Sequence, residues 1–374
     1  MPTVIDARTA SDHFPGIGRY VVNLCRALGR VAPDLDLVVL HDPSATTSRL
    51  TLPNVPRLAC PTSPFALRQQ WLVPRQLRRA GARLYHSPYY LMPYWPGVPT
   101  VLTCHDVIPL VYPGYFSAWQ RLVFRLAHWL ALRAVRHVIA VSQSTRADLR
   151  RFFGLPAPRV TVIPEAADPR YTPRPVHEIA ALRQRYGLPP GYVLYLGSNK
   201  PHKNLVHLVQ AWAFVSQRGV AREVQLVIAG PWDARYPESQ HLAEQLGLET
   251  AIRFLGTVPE ADLPALYSGA VLLVFPSLYE GFGLPVLEAM ACGTPVACAN
   301  TSSLPEVVGD AAPCFDPNDL GALADLLVRL LTDVDWRAAL REAGLRRAAC
   351  FSWEETARQT LAVYTAVQSG ALLG

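Results

Sequence analysis

The chain has 374 residues, half of them apolar and only 17% charged, a length that suits two average domains and a composition that excludes a disordered tail. Lys and Arg outnumber Asp and Glu 35 to 29, yet no dense basic tract with interleaved aromatics occurs, which argues against nucleic acid as a partner. The basic excess fits an ordinary solvated surface, or attraction to anionic lipid or phosphorylated ligands. In chain order, short β-branched runs alternate with longer helical patterns, the layout of βαβ units and parallel sheets. Strands are expected at residues 3–7, 35–40, 84–87, 100–104, 137–141 and 160–163, with helices at 19–30 and 118–136 between them. A second set of strands is expected at 192–196, 225–229, 252–254, 271–275, 295–298 and 312–315, separated by helices at 205–218, 239–246, 285–292 and 320–332. Residues 164–175, with three prolines and a polar run, make the best linker. The fold class read from this order is α/β: two Rossmann-like domains, 1–170 and 176–350, with a ligand cleft between the carboxyl ends of their sheets.

Seven cysteines (Cys25, Cys60, Cys104, Cys292, Cys298, Cys314 and Cys350) are scattered, odd in number and without a C-x-x-C, so they read as small buried hydrophobes in a reducing compartment. The N-terminal Met1-Pro2-Thr3-Val4-Ile5-Asp6-Ala7-Arg8 lacks a signal-peptide layout, and no stretch approaches the ~18 apolar residues of a membrane span. A cytoplasmic protein is expected. Arg68, Arg75, Arg78, Arg79 and Arg83 around Trp71, Leu72 and Val73 suggest an amphipathic surface helix, either plainly solvated or in peripheral contact with the inner membrane face.

The segment Tyr279-Glu280-Gly281-Phe282-Gly283-Leu284-Pro285-Val286-Leu287-Glu288 follows an apolar strand and opens a helix, with Pro285 suited to its first position and Gly293 to its stop. Its loop aims free backbone amides and the positive helix end above the sheet, where a diphosphate is favoured. Two carboxylates beside an anion site look wrong for phosphate alone. They make sense if one accepts from sugar hydroxyls and the other from a ribose; the alternative is that both simply favour the helix dipole. In Tyr195-Leu196-Gly197-Ser198-Asn199-Lys200-Pro201-His202-Lys203-Asn204-Leu205, another strand–turn–helix, a lysine can neutralise a departing diphosphate. Phe14-Pro15-Gly16-Ile17-Gly18-Arg19-Tyr20-Val21 enters a helix but has Val21 where a dinucleotide fingerprint has its third glycine, so NAD is not expected. Thr103-Cys104-His105-Asp106 ends a buried strand. His86-Ser87-Pro88 ends another and could line the acceptor side, while Ser142 and Ser352 read as helix caps, the latter with Glu355 at the third position. The D-x-D strings at 34–36 and 333–335 lack further oxygen ligands, so no metal is expected.

On these motifs the chain resembles the large retaining glycosyltransferase family 4, of GT-B architecture, whose E-x7-E signature is filled by Glu280 and Glu288 with Gly-Phe-Gly-Leu-Pro between them. The resemblance covers nearly the whole chain. It implies that Glu288 binds the ribose and Glu280 faces the donor sugar, while the amides of Gly281, Phe282, Gly283 and Leu284 hold sugar and diphosphate. It further implies that Lys203 stabilises the departing phosphate, that His105 sits beside the donor sugar, and that Gly16 and Gly18, with Arg19, approach the donor phosphate. Where many relatives carry Arg after the glycine corresponding to Gly197, this chain has Ser198, and Lys200 is the substitute at hand. Base recognition is expected at residues 255–260, through the backbone of Val258 and the carboxylate of Glu260, which would suit guanine or else serve as a helix cap. A C-terminal helix from 352 onward is expected to pack back on the first domain.

The implied reaction is transfer of a mannose- or glucose-type hexose, with retention, from a GDP- or UDP-sugar to a glycan, lipid-linked or small-molecule acceptor. No cofactor beyond the donor substrate is expected. The rivals are an epimerase of the same architecture, which needs further acid/base residues, and a non-catalytic nucleotide-sugar binder, which has no need of His105 or Lys203. A glycogen-type phosphorylase would need a pyridoxal lysine and a longer chain.

Overall fold

A computed structural model describes residues 1–10, 15–44, 52, 55–220 and 224–371 of the chain. Phe14 of the N-terminal glycine segment and residues 372–374 of the expected C-terminal helix lie outside the described residues. The chain divides into two units, one made of residues 1–165 and 352–374, the other of 166–351. The passage into the second unit therefore comes at Glu165, ahead of the boundary expected at 170, and most of the proline-rich run goes with the second unit.

The first unit holds a seven-stranded sheet: β1 (Thr3–Asp6), β2 (Leu37–His41), β3 (Arg57–Ala59), β4 (Leu84–Ser87), β5 (Thr100–Cys104), β6 (His137–Ala140) and β7 (Val160–Val162). The order is β3-β2-β1-β4-β5-β6-β7, every pair parallel, with Val4 opposite both Val38 and Tyr85. Strands β1, β4, β5 and β6 are buried at every residue, as expected of a parallel sheet covered on both faces. The second unit carries β8 (Gly191–Leu196), β9 (Val224–Ala229), β10 (Ile252–Gly256), β11 (Leu272–Phe275), β12 (Val296–Ala299) and β13 (Cys314–Phe315), in the order β10-β9-β8-β11-β12-β13. Trp212, Tyr192, Tyr195, Tyr267 and Phe275 fill its core and are fully buried.

Strand order reverses between β1 and β4 in the first sheet and between β8 and β11 in the second. At such switch points the loops leaving neighbouring strands diverge and open a crevice beyond their carboxyl ends. The crevice of the second unit is bounded by the loops after β8 and β11, the two segments singled out by sequence.

The C-terminal helix Trp353–Ser369 belongs to the first unit. Ser352 caps it by accepting from the Glu355 amide at 3.1 Å, but the Glu355 carboxylate turns outward to Arg358 and Gln359. The helix is tied down by Thr356 Oγ1 donating to the Pro164 carbonyl at 2.8 Å and by Tyr364 Oη against His86 Nδ1 at 2.6 Å.

Three expectations change. Strand β3 went unforeseen, because Arg57-Leu58-Ala59 has no β-branched residue and stands at the sheet edge. Cys314 and Cys350 are exposed, whereas the other five cysteines are buried, and Cys298 Sγ lies 3.7 Å from Cys314 Sγ across β12 and β13. Helix Gln69–Arg79 forms around Trp71 but inserts Val73, Pro74 and Leu77 into the core, so its apolar side is largely used up.

Candidate functional site

In the second unit, helix Leu284–Ala291 starts one residue earlier than the proline suggested, with Gly283 as the cap residue and Pro285 in second place. Gly283 has φ +108, a left-handed conformation that turns the chain from the loop into the helix and that a side chain would strain. Among the described residues, the amides of Phe282, Gly283 and Leu284 donate to no protein acceptor, the condition of an open helix N-terminus. The loop itself is pinned from below. Ser302 Oγ accepts from the Glu280 amide at 2.9 Å, and Ser303 Oγ spans the carbonyls of Glu280 and Phe282 at 2.9 and 2.7 Å. Hydroxyls at 302 and 303 thus hold the glycine loop, a role with no signature in the local sequence.

The two signature acids part company. Glu288, one turn inside the helix, is 2% exposed and accepts from Tyr267 Oη at 2.9 Å. Glu280, before the helix, meets Lys203 Nζ at 2.5 Å, with the two side chains 12% and 15% exposed. Lys203 ends the turn Pro201–Lys203 and also stands 5.7 Å over the ring of Phe275, at the end of β11. Asn204, at φ +59, then starts helix Leu205–Gln217; asparagine tolerates that conformation better than other non-glycine residues. Beside Lys203, burial holds the His202 imidazole down at about 3, with Lys203 and Lys200 adding to the effect, so this ring is neutral and structural. Its carbonyl accepts from the Leu278 amide at 2.8 Å, which stitches the two motif loops together.

Gly197 ends β8 against Gly230, which follows β9 at φ +131; a Cβ on Gly230 would collide with the Gly197 carbonyl. The two glycines let these backbones touch. Lys200 is exposed on the turn, within the same loop. Val258 is buried and follows β10, whose register shifts before Gly256. Glu260 caps no helix: its carboxylate pairs with Arg170 at 3.4 Å.

In the first unit, His105 follows β5 and its Nδ1 lies 2.9 Å from Glu165 Oε1. A carboxylate only accepts, so this contact selects the Nδ1–H form and leaves Nε2, a buried atom, as the ring's acceptor. Nε2 has no partner among the described residues. Tyr20 packs edge-on against the ring at 5.0 Å, and Thr145 Oγ1 donates to the His105 carbonyl at 3.2 Å. Asp106 Oδ1 accepts from the Ile108 amide at 3.1 Å and shapes the loop. Gly16 and Gly18 lie in the first turn of helix Pro15–Val31, and a Cβ on Gly18 would press on Ala10 at 3.2 Å. Ser142 caps helix Gln143–Phe153.

His86 does not line a surface. It is wholly buried, bonded to Thr103 Oγ1 at 2.8 Å and to Tyr364, and burial pushes its ring down to about 3. The D-x-D strings are structural: Asp36 faces the Met1 amino group at 3.4 Å, and Asp333 caps helix Val334–Ala348. Sequence reasoning missed Glu165, Tyr267, Ser302 and Ser303, the residues that hold the others. It also missed the buried pair of Asp6 and Arg8 at the first switch point, 2.6 Å apart, with Tyr85 Oη donating to Asp6 at 2.5 Å.

Two family models match the chain: Glycosyltransferase Family 4 over residues 15–171 and Glycosyl transferases group 1 over residues 179–347. O-antigen chain mannosyltransferase B of Escherichia coli is 34% identical over 369 residues, covering 93% of this chain and 95% of that protein. The chain belongs to glycosyltransferase family 4. Serotype-specific mannosyltransferase WbdA of Escherichia coli is 32% identical over 273 residues, 71% of this chain but only 33% of that longer protein. Among solved structures, sucrose-phosphate synthase from Thermosynechococcus elongatus superposes with a TM-score of 0.81 at 24% identity, over 99% of this chain and 100% of that one. HepE of Anabaena in complex with UDP-glucose gives 0.78 at 19% identity, over 98% and 100%. These likenesses establish a GT-B fold, two Rossmann-like parallel-sheet domains, and family membership makes the chain a glycosyltransferase. In this family 4 protein, Lys203 and Glu280 meet in the loops of the second unit, and Glu288 lies one turn further into the helix, against Tyr267. His105 stands in the other unit with Glu165 behind it.

Proposed function

We propose that this glycosyltransferase is a retaining hexosyltransferase. It takes a mannose- or glucose-type sugar from a GDP- or UDP-linked donor and passes it to a glycan, lipid-linked or small-molecule acceptor. The observation that carries the reading is the open helix N-terminus at residues 282–284, with Lys203 and the buried carboxylate of Glu288 beside it. Amides and a lysine suit a diphosphate, while a buried carboxylate one turn further suits ribose hydroxyls. The sugar would face Glu280, and His105, whose Nε2 has no partner among the described residues, would take part in the transfer. Cationic and amide groups alone neutralise the leaving diphosphate on this reading, so no metal or cofactor is required. Gly197 and Gly230 keep the floor of the site flat, and Val258 and Glu260 border the position of the base. Likeness to E. coli O-antigen chain mannosyltransferase B supports mannose as the sugar; the HepE complex with UDP-glucose supports a nucleotide-sugar donor.

Calorimetric titration with GDP, UDP and ADP, on the native chain and on Glu288→Ala, tests the donor site. Selective binding of one nucleotide, weakened at least about tenfold by the substitution, is expected for the loss of a charge-assisted contact. No binding at millimolar concentration would remove the donor site and leave a degenerate relative. Retention is tested by the anomeric configuration of the first-formed product, read by proton NMR.

A further inference from the structure

Apart from Phe65, Leu67 and Trp71 at the basic segment, the exposed apolar surface of the first unit concentrates on another helix. Helix Ala118–Ala134 presents Trp119, Leu122, Val123, Leu126 and Trp129 to solvent, at 71, 57, 44, 53 and 43% exposure. At ~100° per residue these five fall within an arc of about 120°, a continuous stripe along the helix. The opposite side, with Ala127, His128 and Ala131, is buried. A full capping box between Ser117 and Gln120 fixes the helix start, so the stripe is preformed.

The sequence around this helix carries one sign of charge. Between Asp106 and Asp148 the chain carries no acid at all, but it has Arg121, Arg125, Arg133, Arg136 and Arg146. The first unit as a whole has 20 arginines against 10 carboxylates, whereas the second has 15 basic residues against 19 acids. At the end of the stripe Arg133 stacks over Trp129 at 4.2 Å, and a groove there is lined by Trp95, Trp129, Arg133 and Arg136. Trp95 is 74% exposed.

We propose that this face docks the enzyme on a bilayer containing anionic lipid. Tryptophans and leucines would enter the headgroup boundary, with the arginines meeting lipid phosphates around them. No helix among the described residues is long and apolar enough to cross a membrane, and on this proposal the helix would lie in the plane of the headgroups. A second copy of the chain is a poorer occupant: an isologous contact would set these arginines against their own kind, with no acid on the helix to pair them. The inference stands on the exposed face alone and does not depend on the proposed donor or acceptor.

Co-sedimentation of the full chain with vesicles of equal parts phosphatidylcholine and phosphatidylglycerol, against pure phosphatidylcholine, tests it. The native chain should partition onto the anionic vesicles and be released by salt. Trp119→Ser/Leu122→Ser/Leu126→Ser should weaken partition at least about tenfold, because three large apolar side chains no longer leave water. Phe214→Ser, an exposed apolar residue of the second unit, should leave it unchanged. Should the triple variant lose its far-UV spectrum, Leu126→Ser alone, with tryptophan quenching by brominated lipid, gives the same reading. The proposal fails if the native chain ignores both vesicles, if the folded variant partitions as the native chain does, or if the variant instead converts a native dimer to a monomer.

Discussion

Lys203 and Glu280 face each other at 2.5 Å with side chains 15% and 12% exposed, between the solvated and the fully buried extremes. Exposed pairs contribute about 0–1 kcal/mol, and breaking a buried pair costs about 3–5, so removing either partner here should destabilise the second unit by about 2 kcal/mol. Lys203→Met leaves the Glu280 carboxylate desolvated without a cation, and Glu280→Gln leaves the ammonium in the same position. The double variant has neither charge, so its destabilisation should fall short of the sum by ~1.5 kcal/mol. Activity should behave differently. If Lys203 stabilises a leaving diphosphate, each single variant loses ~10²–10³ in kcat, and the double variant does not recover it. Urea unfolding of the four proteins, followed on the transition of the second unit, gives the coupling, and initial rates give kcat. Stabilities that add to within ~0.5 kcal/mol would show that the charges do not interact, and a Lys203→Met enzyme of native kcat would remove the lysine from the reaction.

Glu165→Gln should reduce kcat about tenfold while leaving nucleotide affinity unchanged, because it removes a charge-assisted bond to His105 in a different unit from the loops proposed to hold the donor; equal loss of both would mean the substitution only loosens the fold. Gly230→Ala should destabilise by about 3 kcal/mol or more, since the residue sits at φ +131 against the Gly197 carbonyl, and a variant melting within a degree of the native chain would contradict that contact. His86 and His128 are both held down to about 3 by burial, below the 6.5 of an unfolded chain. The unfolded state therefore binds protons that the folded state refuses between pH 6.5 and 3. Stability of the first unit is full above 6.5 and should fall by ~3 kcal/mol per pH unit below it, so a urea midpoint unchanged from pH 7.5 to 5.5 would refute the assignment.

The elements most legible in the sequence are those whose residues answer only to local rules. Strand β5, Thr100-Val101-Leu102-Thr103-Cys104, is an unbroken apolar and β-branched run because both its faces are covered, and it was placed to the residue. The glycine loop before Leu284 was legible for a related reason: glycines, a proline and two acids at fixed spacing impose a loop, a helix start and one inward carboxylate whatever surrounds them. The residues that were missed act over long separations. Tyr267 reaches Glu288 and Glu165 reaches His105, the latter 60 positions apart, and nothing near either one marks the partner. Helix Ala118–Ala134 shows another limit. Its sequence holds four leucines and two tryptophans but does not mark which face they take, and only the burial of Ala127, His128 and Ala131 reveals that its largest apolar side chains point outward.

The charged groups of the candidate site are each paired in the unliganded chain, and this bears on how a donor would be taken up. Glu280 is held by Lys203, Glu288 by Tyr267 and His105 by Glu165. Leaving any of these carboxylates buried without a partner would cost ~1–3 kcal/mol, so the pairing is what permits them to sit in the protein before substrate arrives. On the proposed reading, an incoming diphosphate competes with Glu280 for Lys203, and a ribose joins Tyr267 on Glu288. Glu288 can accept from both, because a carboxylate has about four lone-pair sites, so its partner need not be displaced. Lys203 has three donors, but as it is drawn toward the diphosphate its hold on Glu280 weakens and the carboxylate needs hydroxyls in its place. The sugar would supply those hydroxyls. A nucleoside diphosphate without its sugar would then draw Lys203 away and leave Glu280 short of a partner. The intact nucleotide sugar should therefore bind more tightly than the nucleotide, and Glu280→Gln should narrow that difference.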